Sequence, residues 1–153
     1  MTDIESEKDL ETRIREKLNV LFSNSGFILL ENKDVVDLVI LNDRKEKLYF
    51  IELKYFKKSH SRLGTGSKDG KGFQIEILKN KYKYFESNLK WILATEDDDF
   101  FRFCSNEEIR KNIGNGISKK YNSISRKIFN NNKIKKFSEV ELFESINSWL
   151  NNS

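Results

Sequence analysis

The chain has one cysteine, one histidine and no proline, and the first two scarcities each remove a class of chemistry. The lone Cys104 excludes an internal disulfide and reads as a small buried hydrophobe. One Cys and one His cannot build a zinc site of the usual Cys/His kind. Any nucleophilic triad would depend on His60, which lies in a glycine-rich loop, and two-histidine ribonuclease chemistry is impossible within one chain. Long apolar runs are also missing. None approaches the ~18 residues that a membrane span needs, so no membrane partner is expected. The opening MTDIESEKDLE is acidic and polar, unlike a secretory signal, and a cytoplasmic, reducing location is expected. Carboxylates, lysines and hydroxyls remain, a set suited to hard cations with oxygen ligands.

What is present describes a globular chain. Its 153 residues fit a single domain. A composition 37% apolar and 34% charged, with 12 Phe, is not that of a disordered segment. The net charge of +4 is unevenly spread. Tyr55 to Lys90 carries nine Lys/Arg against three acids, and Asn106 to Phe137 nine against two. Two basic stretches suggest a polyanion partner, although a well-solvated surface in a Lys- and Asn-rich chain has the same composition.

The spacing of Leu10, Ile14, Leu18, Leu21 and Phe22 predicts a helix over 7–23, stopped by Asn24-Ser25-Gly26. Residues 27–31, 35–41 and 48–55 read as strands, with NDRKEK (42–47) as the turn joining the last two. A long polar loop, KKSHSRLGTGSKDGKG (57–72), precedes a predicted helix over 73–87 and a strand over 90–96. The expected order is therefore α-β-β-β-α-β, an α/β core with a mixed sheet flanked by helices. One domain is expected over 1–153, with the core at about 7–96 and a basic helical extension at about 97–153. TGSKDGKG (65–72) imitates a phosphate-binding loop, but Thr65 and Gly72 stand where that motif needs Gly and Ser or Thr. An NTPase is rejected.

The second and third strands should form an antiparallel hairpin. With the turn centred near Arg44-Lys45, Asp37 faces Glu52, and directly opposite residues project from one face. Lys54, two residues on, shares that face with Val39, Leu41, Leu48 and Phe50. Like charges opposed in a sheet are destabilising. A divalent cation between them would remove the penalty, and Mg²⁺ is commonly held by one or two carboxylates. An exposed strand with a cross-strand salt bridge also yields Glu-x-Lys, so the apolar setting, DLVIL and YFIEL, matters. Asp34, a rival for Asp37, falls on the opposite register parity to Glu52.

VVDLVI, a turn, and LYFIELK resemble the core of the PD-(D/E)XK nuclease superfamily, which includes restriction enzymes and Holliday-junction resolvases. That pattern has an Asp on one strand and Glu-x-Lys on the next, within a restriction-endonuclease-like α-β-β-β-α-β core. Asp37, Glu52 and Lys54 match it, while Val36 replaces the usual Pro. The resemblance implies a Mg²⁺-dependent endonuclease, with Mn²⁺ able to substitute, in which Asp37 and Glu52 bind metal and Lys54 assists hydrolysis. It also implies two auxiliary residues. Members often add a Glu from the first helix, and Glu11 lies on the apolar face beside Ile14 and Leu18. Several branches carry a Gln on the helix after Glu-x-Lys, and Gln74 occupies that place.

DNA is the expected partner, cut in restriction-type or junction-resolving fashion by a homodimer. Lys57, Lys58, Arg62, Lys68 and Lys71 would supply counter-charge to phosphates. The second basic segment (117–137) reads either as a groove-contacting helix pair, with Lys119, Lys120, Arg126, Lys127 and Tyr121 meeting the backbone, or as a solvated amphipathic helix. An RNA-cutting toxin-type nuclease of the same fold and a non-catalytic nucleic-acid-binding module stand as alternatives.

Overall fold

The computed structural model describes residues 4–30, 37–59, 62–64, 87–111 and 123–153. The predicted helix over 73–87, apart from Ser87, lies outside the described residues, as do Asp34, Val36, Tyr121 and most of the loop over 57–72.

The first helix, α1 (Glu7–Leu21), begins at Ser6, whose hydroxyl accepts the Asp9 amide at 3.1 Å. Leu10, Ile14 and Leu18 form its buried stripe. The chain turns away where Asn24 adopts a left-handed φ of 60°, a conformation that Asn tolerates. The strands are β1 (Phe27–Leu30), β2 (Leu38–Asn42), β3 (Lys47–Phe56), β4 (Arg62–Gly64), β5 (Leu89–Thr95) and β6 (Phe101–Ser105). After these come α2 (Asn106–Lys111), β7 (Ser123–Ser125), a 3-10 helix (Arg126–Asn130), β8 (Lys136–Phe137) and α3 (Glu139–Asn152).

Among the described residues six strands make one mixed sheet in the order β1-β2-β3-β5-β6-β8. β3 and β5 run parallel, and every other neighbouring pair is antiparallel. β4 and β7 form a separate two-stranded ribbon. β3 sits inside the sheet and is apolar on both faces. Ile51, Leu53 and Tyr55 join one core cluster with Leu10, Ile14 and Leu18 of α1 and Leu142, Ile146 and Leu150 of α3. Phe50 and Phe56 join a second with Trp91, Leu93, Ile109, Ile124 and Ile128. Two tyrosines fasten distant segments to β3: the Tyr55 hydroxyl donates to the Ile4 carbonyl at 3.0 Å, and Tyr49 to that of Ser153 at 2.9 Å.

The C-terminal third is only partly helical. It ends in α3, started by a capping box in which Ser138 and Glu141 satisfy each other's amides, but it also adds β6 and β8 to the sheet. Neither a helix pair nor a continuous amphipathic helix forms over the described part of 117–137. Instead β7 leads into the 3-10 helix, whose first turn is capped by the Ser125 hydroxyl at the Lys127 amide, and extended backbone resumes at Asn131. The strand FRFCS was hidden by Arg102, a cation at a position only 1% exposed. Its guanidinium forks onto Asp98 at 2.9 and 3.1 Å and donates to the Phe129 carbonyl at 3.1 Å. Among the described residues no helix is long and apolar enough to cross a membrane.

Removing Asp98, its side chain 27% exposed, leaves the buried Arg102 guanidinium with the Phe100 and Phe129 carbonyls but without this counter-charge. Asp98→Ala is expected to cost about 1–3 kcal/mol in urea unfolding. Lys111→Ala, which breaks the exposed pair with Glu107, should stay within about 0.5 kcal/mol. Equal small losses for both would contradict the role assigned to Arg102.

Candidate active site

The hairpin has the predicted register: Leu38 pairs with Ile51, Val39 with Phe50 and Ile40 with Tyr49. Its turn closes through Glu46, at a left-handed φ of 51°. Asp37, one residue before β2, therefore arrives opposite Glu52. Here the ladder stops and side chains replace it. The Asp37 amide donates to Glu52 Oε1 at 3.2 Å, and the Leu53 amide donates to Asp37 Oδ2 at 2.7 Å. Each acid thus takes an amide from the opposing segment, so both carboxyl positions are fixed by backbone.

Lys54 stands beside the pair, its side chain 21% exposed, with Nζ 4.0 Å from Glu7 Oε1 at the start of α1. Arg15, further along α1, donates to the Asp37 carbonyl at 2.8 Å and reaches Glu11 at 3.4 Å. Burial pushes the Glu52 carboxyl well above its ordinary range, and the neighbouring Asp37 charge adds to this. Lys54 and the Asp37 amide pull the other way with less effect. Asp37 is also raised by burial, against the opposing influence of the Leu53 amide and then of Lys54. The three predicted central residues therefore occupy one site.

Glu7 is the acid that the sequence reading missed. Burial raises its carboxyl, Lys54 opposes this, and the charges of Asp37 and Glu11 add to it. It lies one helical turn before Glu11 on the same face, so the wheel that singled out Glu11 would have found it if started at the helix's first turn. Glu11 itself pairs with Arg15 and lifts Asp37 by its charge. Gln74, Lys68, Lys71, Lys119 and Lys120 lie outside the described residues. Lys57 and Lys58 are exposed just past β3, Arg62 is in β4, and Lys127 is exposed in the 3-10 helix. The Arg126 guanidinium is engaged with Asp97 and the Lys57 carbonyl.

Among the described residues no three Asp, Glu, His or Cys side chains are gathered closely enough to hold an ion. The donor set on offer is a carboxylate pair. A buried Glu52 raised further by the charge of a half-buried Asp37 suits a hard divalent cation, which requires only one or two protein carboxylates when waters and phosphate oxygens complete its shell.

Of the expected α-β-β-β-α-β order, the described residues contain α1, β1, β2, β3 and β5, and the helix expected before β5 lies outside them apart from Ser87. No known family profile matches the chain, and no curated protein matches it in sequence. Among solved structures it is similar to Hjc of Archaeoglobus fulgidus, a Holliday junction resolvase from an archaeal hyperthermophile. That match has a TM-score of 0.46 and 18% identity, and covers 85% of this chain and 98% of the other. A likeness this loose assigns no residue a role.

The raised carboxyls have a consequence for stability. Glu52 keeps its proton to a higher pH in the fold than in the unfolded chain, where its value is near the ordinary 4.5. Its stabilising contribution is full below that value and is lost as pH rises through the raised folded value; Asp37 acts in the same direction. In EDTA, Glu52→Gln should therefore melt at least about 2–4 °C above the parent at pH 8. That gain should vanish at pH 4. A variant less stable than the parent at pH 8 would contradict the burial of an ionised pair.

Proposed function

We propose that the chain is a Mg²⁺-dependent endonuclease acting on DNA, with Mn²⁺ able to replace Mg²⁺. The observation that carries this reading is the reciprocal fixing of Asp37 and Glu52 beside Lys54. The two carboxylates would hold the cation, with Glu7 and Glu11 setting the surrounding charge. When bound, the cation supplies Lewis-acid polarisation of the scissile phosphate and acidification of the attacking water.

The chain's own groups do the remaining work. The backbone amides of Asp37 and Leu53 hold the carboxylates rigid, so little reorganisation is needed when substrate arrives. Glu7 draws the Lys54 ammonium toward the acids, where it can orient the water and stabilise charge developing on the phosphate. Lys57 and Lys58, just beyond Lys54, supply phosphate contacts that position the strand. Protonation of Glu52 competes with the cation, so more Mg²⁺ should be needed to sustain cleavage as pH falls. Cutting both strands of a duplex calls for two such sites, which a homodimer would provide.

The test is a panel of linear, circular, single-stranded and branched DNA and of tRNA, with Mg²⁺ or EDTA. The parent is expected to cut DNA only with the cation. Glu52→Ala and Lys54→Ala should each lose about 10²-fold or more in rate, while duplex affinity stays within a few-fold because phosphate contacts elsewhere supply it. A parent that cuts only RNA would favour the toxin-type alternative. One that binds DNA but cuts nothing with Mg²⁺ or Mn²⁺ would replace the enzyme with a binding module.

A further inference from the structure

The two basic stretches, far apart in the sequence, are paired in space. β4 and β7 form an antiparallel ribbon in which Arg62 faces Ser125, Leu63 faces Ile124 and Gly64 faces Ser123. Lys57 and Lys58 precede one strand, and Arg126 and Lys127 follow the other. In the sequence Lys68 and Lys71 follow Gly64, while Lys119 and Lys120 precede Ser123. Ile124 is fully buried in the same core cluster as Phe56 and Trp91, which seats the ribbon on the domain.

Arg126 fixes the ribbon's base. Its guanidinium donates to the Lys57 carbonyl just past β3 and to the Asp97 carboxylate just past β5, with Thr95 Oγ1 at 3.5 Å. The Lys58 amide is held in turn by the Glu96 carboxylate. Because β3 and β5 are parallel, both strands end on the same side, and Arg126 ties those ends to the chain leaving β7. Lys57 follows Lys54 by three residues, about 10 Å along an extended strand. Lys57, which Arg126 holds through its carbonyl, therefore lies within a few nucleotides' reach of the acid pair.

On the nuclease reading above, we propose that the β4–β7 ribbon is the phosphate-gripping element for duplex DNA. We assign Arg126 as a positioning residue that joins the two basic segments into one surface, not as a phosphate ligand. Lys57 and Lys58 on one side and Lys127 on the other then act together, and Asp97, an acid beside a polyanion site, favours binding because it holds Arg126.

That last point separates the proposal from simple electrostatics. Asp97→Asn removes a negative charge, so charge alone predicts tighter DNA binding, whereas release of the clamp predicts weaker binding. Arg126→Lys keeps the charge but loses the planar fork that spans a carbonyl and a carboxylate. Binding of the full chain to a labelled duplex, followed by anisotropy across a salt series in EDTA, reads both. Each variant is expected to bind roughly tenfold more weakly, with a salt slope flattened by more than the ~0.9 of one phosphate contact. Thermal unfolding and the double variant Lys57→Gln/Lys58→Gln accompany them. Adding Asp97→Asn to that double variant should cost less than it does in the parent, since the lysines it positions are already gone. Asp97→Asn binding as tightly as the parent or tighter, Arg126→Lys with the parent's slope, or fully additive losses would each overturn the clamp. A parent with no affinity for duplex DNA would overturn the nuclease reading together with it.

Discussion

Two carboxylates meet across a hairpin at the point where its ladder ends, and the rest of the site is arranged around that fact. Asp37 follows an incoming segment and Glu52 lies inside a strand apolar on both faces, so neither can swing out to water without breaking an amide hydrogen bond. Backbone that would otherwise be unpaired is satisfied by these acids, and the acids are immobilised by that backbone. Such an arrangement is costly in an empty fold, since burial and mutual repulsion both oppose ionisation. The surrounding cations temper the cost without removing it: Lys54 lies next to the pair, and Arg15 braces the Asp37 carbonyl from α1.

The fold supplies the rigidity that this cluster needs. α1 presses its stripe of Leu10, Ile14 and Leu18 onto the same face of β3 as α3 does, and Tyr49 and Tyr55 secure segments from both ends of the chain to that strand. The Arg13–Glu139 fork, at 2.5 and 2.9 Å, joins α1 to the start of α3 and holds the Glu139 carboxyl below its usual range. The first turn of α1, which carries Glu7 to Lys54, is thereby placed by packing well removed from the acids themselves. The opposite face of β3, which carries Phe50 and Phe56, packs in a cluster with Ile109, Ile124, Ile128 and Phe129, so the central strand is gripped from both sides.

The hairpin was legible in the sequence because its turn is short and polar, which fixes the register once the turn's centre is known. A one-residue slip would have thrown Glu52 to the opposite face. The helix α1 and strands β3 and β5 were legible for a related reason, since apolar spacing reports burial directly. What escaped reading depended on partners distant in sequence. FRFCS looks too polar for a sheet interior until Asp98 and the Phe129 carbonyl are seen to neutralise Arg102. β4 and β7 are three-residue strands that acquire meaning only from each other. Glu7 resembles any acid favoured at a helix start by the macrodipole, and only its approach to Lys54 marks it out.

On the proposed function, the Asp37–Glu52 pair is a cation site. Calorimetric titration of the parent with Mn²⁺ measures binding directly. Saturable binding is expected in the parent and is expected to be lost in Glu52→Gln. Binding that persists unchanged in Glu52→Gln, or no binding to the parent at millimolar Mn²⁺, would contradict that site.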